Sequence, residues 1–242
     1  MGFFKYDSPF MTGLAKVTDL MLINFYTIFL CIPVVTAGAA ITALHNMSLK
    51  IVRNEQSRVT KEYFHSFARN FKQATLIWLI VLAALLILAG DCFILFFSEL
   101  HFGKAFRITF YVVAFLMAFA YAFVYPILAR FDNTIKNTLK NAVLIGILQF
   151  PRTVLMVAVG ILPLLLLVFF PRALPLVILF GFSGPSWVSA LLYNKYFQML
   201  ENQMLEQQDA TEGQDLDDDE VIFKDVEYST SEESDDQESS EQ

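Results

Sequence analysis

Asp91 is the one acidic or basic residue deep within the apolar run Gln73 to Leu100. A charge at the centre of a bilayer costs at least about 2.5 kcal/mol on insertion scales, so an acid placed there needs either a function or a partner. The functional reading is an ion or proton relay. The structural reading is an Asp that is protonated, hydrogen-bonded to another helix, or nearer the outer headgroups, with Glu99 and His101 two turns further on. The second candidate is Gly181-Phe182-Ser183-Gly184-Pro185, which interrupts another apolar run. Transporters unwind helices at such breaks to expose carbonyls and helix ends to a solute, whereas proline alone also kinks a helix. Asp91, Gly181, Gly184 and Pro185 are therefore the candidate intramembrane polar site.

No catalytic residue, cofactor or metal is assigned. His45, His65 and His101 are too scattered for a metal site, and there is neither a phosphate-binding glycine loop nor a nucleophile elbow. Cys31 and Cys92 lie in apolar runs, where free Cys behaves as a small hydrophobe. Asp19 and Asn24, near the start of the first run, read as packing and interfacial hydrogen-bonding residues. Small residues at Thr36, Gly38, Ala39, Ala40, Thr42 and Ala43 would let another helix approach closely.

A third pattern concerns surfaces. At roughly 100° per residue, Arg58, Lys61, His65, Arg69 and Lys72 fall in one stripe, opposite Tyr63, Phe64, Phe67 and Phe71. This is the pattern of a helix in the headgroup layer, rings in the acyl boundary and charges toward anionic lipid; the same face could dock a partner protein. Arg58, Lys61, Phe64, Phe67, Arg69, Phe71 and Lys72 are the candidate membrane-surface or partner contacts. A second amphipathic stretch runs from Phe131 to Phe150, with Asn133, Lys136, Asn137 and Lys140 opposite its apolar face. Asp132 is a candidate cap for it, and Pro151 turns the chain into the next run.

The elements that must carry these residues follow from composition. The chain has 242 residues, 56% of them hydrophobic and only 17% charged, with a mean hydropathy of +0.52. A soluble chain carries about 25% charged residues, and here the shortfall sits in long apolar runs. The charge is divided: residues 1–198 carry a net +9 and residues 199–242 a net −16. The first part reads as a transmembrane helical domain. The second reads as an acidic, disordered cytoplasmic tail, too polar to offset its ordering entropy, with Val221 to Tyr228 as a small apolar island.

Crossing about 30 Å of hydrocarbon takes about 20 helical residues. Stretches of that length run from Val17 to Leu44, Gln73 to Leu100, Ala105 to Ala129, Arg152 to Phe170 and Ala173 to Phe197. The fold class is all-α, a polytopic membrane bundle of about five transmembrane helices with amphipathic interfacial helices. Asp7 and Asp19 in the leading segment argue against a cleaved signal. Of the 17 Lys and Arg, 12 fall in the first and third connections and after the last span, against 5 on the other side, which puts the tail in the cytoplasm and the N-terminus outside. Pro33 and Gly38 leave a second topology open. In it the first span breaks and returns as a re-entrant hairpin, the N-terminus is cytoplasmic, and the split becomes 14 to 3.

Phe3-Phe4-Lys5-Tyr6-Asp7-Ser8-Pro9 and Pro33-Val34-Val35-Thr36-Ala37-Gly38-Ala39 resemble landmarks of the YesL-like family of small bacterial membrane proteins. Phe71-Lys72-Gln73-Ala74-Thr75 with Trp78, Arg130-Phe131, Lys140-Asn141-Ala142 and Phe150-Pro151-Arg152-Thr153 follow in the family's order, so the likeness covers residues 1–198. The resemblance implies no activity and no catalytic residues. It does imply a setting beside carbohydrate uptake systems and sugar hydrolases; the acidic tail departs from the short family pattern. The expected function is that of a non-enzymatic accessory or assembly protein of the cell membrane, associated with a carbohydrate uptake system of the ABC type. Its expected partners are the lipid bilayer and membrane permease subunits, with no nucleic acid. The competing expectation is a small solute or ion transporter or channel using Asp91 and the break Gly181–Pro185.

Overall fold

The computed structural model describes residues 9–55, 58–97, 104–131 and 133–207, and no strand occurs among them. In chain order the helices are α1 (Pro9–Cys31), α2 (Ala37–Arg53), α3 (Val59–Phe97), α4 (Lys104–Arg130), α5 (Ile135–Leu148), α6 (Phe150–Phe169) and α7 (Leu174–Phe180), followed by α8 (Ser183–Gln207). Turns of 3₁₀ helix at Val34–Thr36 and Pro171–Ala173 lead into α2 and α7. By length and apolarity α1, α3, α4 and α6 can each cross a membrane, and α7 with α8, bent by 58°, can form a fifth span. The protein is an all-α, polytopic membrane protein.

Sequence expectations are corrected here, the first of them at the opening span. Val17 to Leu44 is not one helix, because the chain breaks at Ile32–Thr36 and folds back as the α1–α2 hairpin. Pro33 cannot donate a ladder hydrogen bond and restricts Ile32 before it. The Thr36 hydroxyl reaches the carbonyls of Leu30 and Pro33, and the Trp78 indole N–H reaches the Val34 carbonyl at 2.7 Å. Away from the turn, Leu20 and Ile23 meet Ala43, Leu44, Met47 and Ile51 in one apolar cluster, so the two helices are antiparallel. The α1 helix starts at Pro9 rather than Val17, which makes that arm long enough to cross by itself.

A second correction concerns residues 58–72, which form no separate surface helix: from Val59 on they are the opening turns of α3, whose 39 residues run on into the apolar segment. Nothing between Lys72 and Gln73 breaks a helix, since neither Gly nor Pro occurs from Val59 to Ala89. The helix is about 58 Å long, nearly twice a hydrocarbon core, so part of it projects. The second amphipathic stretch does form a helix, α5, but Thr134 and not Asp132 is its N-cap, accepting from the Asn137 N–H. Asp132 lies outside the described residues, as do Asp7, Glu99 and His101.

The small-residue face finds its neighbour in α3. A Cβ on Gly38 would lie 2.5 Å from the Ala74 carbonyl oxygen and 2.5 Å from Trp78 Cβ, so only glycine permits this approach. Further along the antiparallel pair, Asn46 donates to the Ser66 hydroxyl and Lys50 pairs with Glu62 at 2.8 Å. Asn54, left-handed at φ 56°, ends α2, and Glu62 also accepts from the Arg58 N–H, closing the α2–α3 turn. On the other flank of α3, Arg69 reaches the Ala129 carbonyl and Gln73 the Asn133 carbonyl. The chain divides into units Met1–Asn194 and Lys195–Gln242. The described part of the second, residues 195–207, is helical, and the expected disordered tail lies outside the described residues.

Candidate functional site

The break between α7 and α8 is built around a residue that precedes it by more than 150 positions. Asn24 on α1 is fully buried. Its amide nitrogen donates to the Ile178 carbonyl at 2.7 Å, and its amide oxygen accepts from the Phe182 and Ser183 N–H groups, each at 2.9 Å. In an unbroken helix the Phe182 N–H would bond to the Ile178 carbonyl four residues earlier. Asn24 has inserted itself into that rung, and a side chain inserted into the ladder is a recognised cause of a sharp kink. Pro185 adds no donor to the first turn of α8, where N–H groups lack intrahelical partners, and the Ser186 N–H bonds back to the Phe182 carbonyl at 3.2 Å. Gly181 is required by crowding: a Cβ there would overlap the Val177 carbonyl.

Polar atoms continue from the break along α2, α3 and α8. The Ser186 hydroxyl lies 3.2 Å from His45 Nδ1, and the Arg53 guanidinium donates to the Asn194 side chain at 2.7 Å. The Tyr63 hydroxyl, buried between α1 and α2, meets the Thr27 hydroxyl and the Ala40 carbonyl. The Asn70 amide donates to the Ser66 carbonyl. Ser183 Oγ and Trp187 Nε1 are buried with no hydrogen-bond partner among the described residues.

Ser186 and His45 have the atoms of a nucleophile and its base within reach. Among the described residues, however, no carboxylate hydrogen-bonds to the ring, and Ser186 is only 4% exposed. That arrangement holds α8 against α2 and does not present a hydroxyl to a substrate. The described residues contain no His, Cys, Asp and Glu cluster able to hold a metal ion. A groove of about 380 Å³ between α1 and Phe64 of α3 is lined by apolar and aromatic side chains, with Tyr26 among them.

The structure separates the residues grouped by sequence. Gly181, Gly184 and Pro185 are together at the break beside Asn24 and His45, but Asp91 is elsewhere. It is half-buried on α3, 13 residues past Trp78, whose indole bonds to the α1–α2 turn. That is about 20 Å along the helix. The cation stripe also divides. Arg58, Lys61 and Lys72 are exposed, and Arg69 caps the carbonyl end of α4. Phe67 packs on the α1–α2 core, Phe71 stacks on Phe67 at 5.5 Å, and Phe64 stacks on Tyr26 at 5.3 Å.

Sequence reasoning missed Asn24 as the partner of the break and His45 as the partner of Ser186. The available signal was physical: a buried amide in an apolar span must find hydrogen-bonding groups, and a broken helix offers them. A family model described as "Protein of unknown function, DUF624" matches residues 20–92. That region holds Asn24, His45 and Asp91 but not the break. No curated protein and no solved structure matches the chain.

Proposed function

We propose that this chain is a non-enzymatic accessory or assembly protein of the cell membrane that acts by seating against a partner. The YesL-like resemblance points to the permease subunits of a carbohydrate uptake system as that partner. The observation that carries the reading is the insertion of Asn24 into the α7–α8 break. A solute site of the unwound-helix kind needs carbonyls and helix ends that face a pathway. Here Asn24 takes up the Ile178 carbonyl and the Phe182 and Ser183 N–H groups within the protein, and Asp91 is too far along α3 to join them. What such a body offers is surface: an apolar outer face on α1, the turn after it and α6, with Phe29, Ile32, Leu164 and Val168 each more than 60% exposed.

The α1–α2 hairpin supports a cytoplasmic N-terminus, on the same side as Arg53, and with it the 14 to 3 distribution of Lys and Arg. Passage through α3, α4, α6 and the bent pair then brings the acidic tail to the cytoplasm as well.

The transporter reading retains one observation in its favour, the unpartnered Ser183 Oγ and Trp187 Nε1 beside the break. One pair of experiments separates the two. A tagged chain, extracted in mild detergent from cells using the uptake system, should recover permease subunits in constant proportion. The same protein in liposomes should pass neither sugar nor ions. Saturable flux lost in Asp91→Asn would defeat the accessory role and establish the alternative.

A further inference from the structure

Asn24 serves the backbone of the α7–α8 break, but two side-chain atoms beside it are left over. Ser183 is fully buried and its N–H is held by Asn24, yet its hydroxyl has no hydrogen-bond partner among the described residues. The indole Nε1 of Trp187 is buried and unpartnered in the same way. Both residues face α1. Ser183 meets it through Asn24, and Trp187 packs against the apolar cluster that holds Leu20 and Ile23. Leu20 and Asn24 are four residues apart on α1, as Ser183 and Trp187 are on α8, and residues at that spacing share a helix face. The two leftover atoms therefore belong to one helix–helix interface. A long helical side chain leans back over the residues three and four before it, which for Trp187 are Gly184 and Ser183. Gly184 leaves room there, since even a Cβ at that position would meet only Phe180, at 3.7 Å. Ser183 Oγ and Trp187 Nε1 nevertheless make no hydrogen bond to each other.

We infer that one resident water molecule bridges Ser183 Oγ and Trp187 Nε1 in the interface between α1 and α8. Buried polar groups without a protein partner are met by ordered water, and a polar contact too long to be direct is commonly closed by one. The chemistry of the pair selects the ligand. An indole N–H only donates, so the ligand must offer a lone pair; a hydroxyl donates and accepts, so it takes whatever the ligand has left. Water satisfies both at once. A cation would face the positive end of the indole N–H. An anion would need a counter-charge, whereas Leu20, Ile23 and Asn24 of α1 are neutral and the His45 ring is engaged by Ser186. Asn24 thus completes the backbone of the break and the water completes its side chains, whether or not the chain acts through a partner.

The test uses the full chain in detergent, with water itself as the probe. Oxygen-17 magnetic relaxation dispersion counts water molecules held for longer than the protein takes to tumble, and it does not see exchanging hydroxyl protons. S183A and W187F should each lower that count by one water, and T18A, at an exposed hydroxyl on α1, should leave it unchanged. A second measurement places the water. The chain has two tryptophans, so protein labelled with nitrogen-15 tryptophan gives two indole N–H signals. Trp187 should show a dipolar cross-peak to water that S183A removes. Trp78, whose indole N–H is held by the Val34 carbonyl, should show none, and its unchanged position in S183A reports that the fold is kept. Equal water counts in the wild type, S183A and W187F overturn the inference. So does a Trp187 cross-peak that survives S183A, or the absence of that cross-peak in the wild type.

Discussion

Replacing Asn24 with Ala removes one donor and one acceptor that serve three backbone groups: the Ile178 carbonyl and the Phe182 and Ser183 N–H groups. Side-chain hydrogen bonds in membrane proteins average about 0.6 kcal/mol in double-mutant cycles, so three of them amount to about 2 kcal/mol. Stranding a buried polar group costs about 1–3 kcal/mol, which would put three near 9 kcal/mol. The upper figure is not reached, because the chain has an escape. With the amide gone, the Phe182 N–H and the Ile178 carbonyl can close directly on each other as an ordinary helical rung, and Ser183 alone is left without its acceptor. The expected loss is therefore about 2–4 kcal/mol, accompanied by a decrease in the 58° bend. Both are measurable in detergent: stability by reversible unfolding, and the bend by the distance between spin labels at Leu176 and Leu191, exposed sites on either side of the break. An Asn24→Ala protein within about 0.5 kcal/mol of wild type, with an unchanged label distance, would refute the account of the break. The Thr18 hydroxyl bonds only to Leu14 one turn back and is exposed, so Thr18→Ala is the control and should cost less than about 0.5 kcal/mol.

Three further outcomes follow from the packing of α2. Gly38→Ala should destabilise by about 1–3 kcal/mol, since its methyl would meet backbone and Cβ atoms at 2.5 Å; Gly160→Ala, where nothing lies within 4 Å, should be neutral or slightly stabilising in the same unfolding assay. Tyr63→Phe keeps the rings against Tyr26 and Phe64 and removes only the hydroxyl that meets Thr27 and Ala40. A loss of about 1 kcal/mol is expected, and no loss would show that hydroxyl to be idle. Lys50 and Glu62 are 27% and 19% exposed, so Lys50→Gln should cost about 1 kcal/mol and Glu62→Ala more, because Glu62 also holds the Arg58 N–H; equal costs would separate Glu62 from the turn.

The sequence was most legible where hydrophobic length decides. The apolar runs that became α3, α4 and α6 needed only the thickness of a bilayer, and Pro33 and Pro185 marked places where a helix could not continue unaided. The hairpin was the harder case. As one span, Val17 to Leu44 satisfied the length rule and Pro33 could have been a kink; what decided otherwise was α1 beginning as early as Pro9 and the close fit of Gly38 against α3, a contact between residues 36 positions apart. The stripe on residues 58–72 was read correctly as amphipathic. Its inner face, however, is covered by the α1–α2 core, which local periodicity cannot tell from lipid. Asp91 and the break were grouped because both are unusual in apolar runs, and unusual composition carries no information about which helices meet.

The two broken spans obtain their hydrogen bonds in opposite ways, and this bears on what each can do. At Pro33 the repair is chiefly local: the Thr36 hydroxyl satisfies carbonyls three and six residues back, so the hairpin turn can form as soon as its own residues are made. At Gly181–Phe182 the repair comes from Asn24, which is synthesised first and must then wait in an apolar span for the last helices to arrive. Until they do, both the amide and the backbone groups of the break lack partners, and in hydrocarbon each has a strong reason to find the other. The bend in α7–α8 therefore reports on α1: any partner or lipid that moves α1 must also move Asn24, and so release or tighten the one rung that sets the shape of the last span.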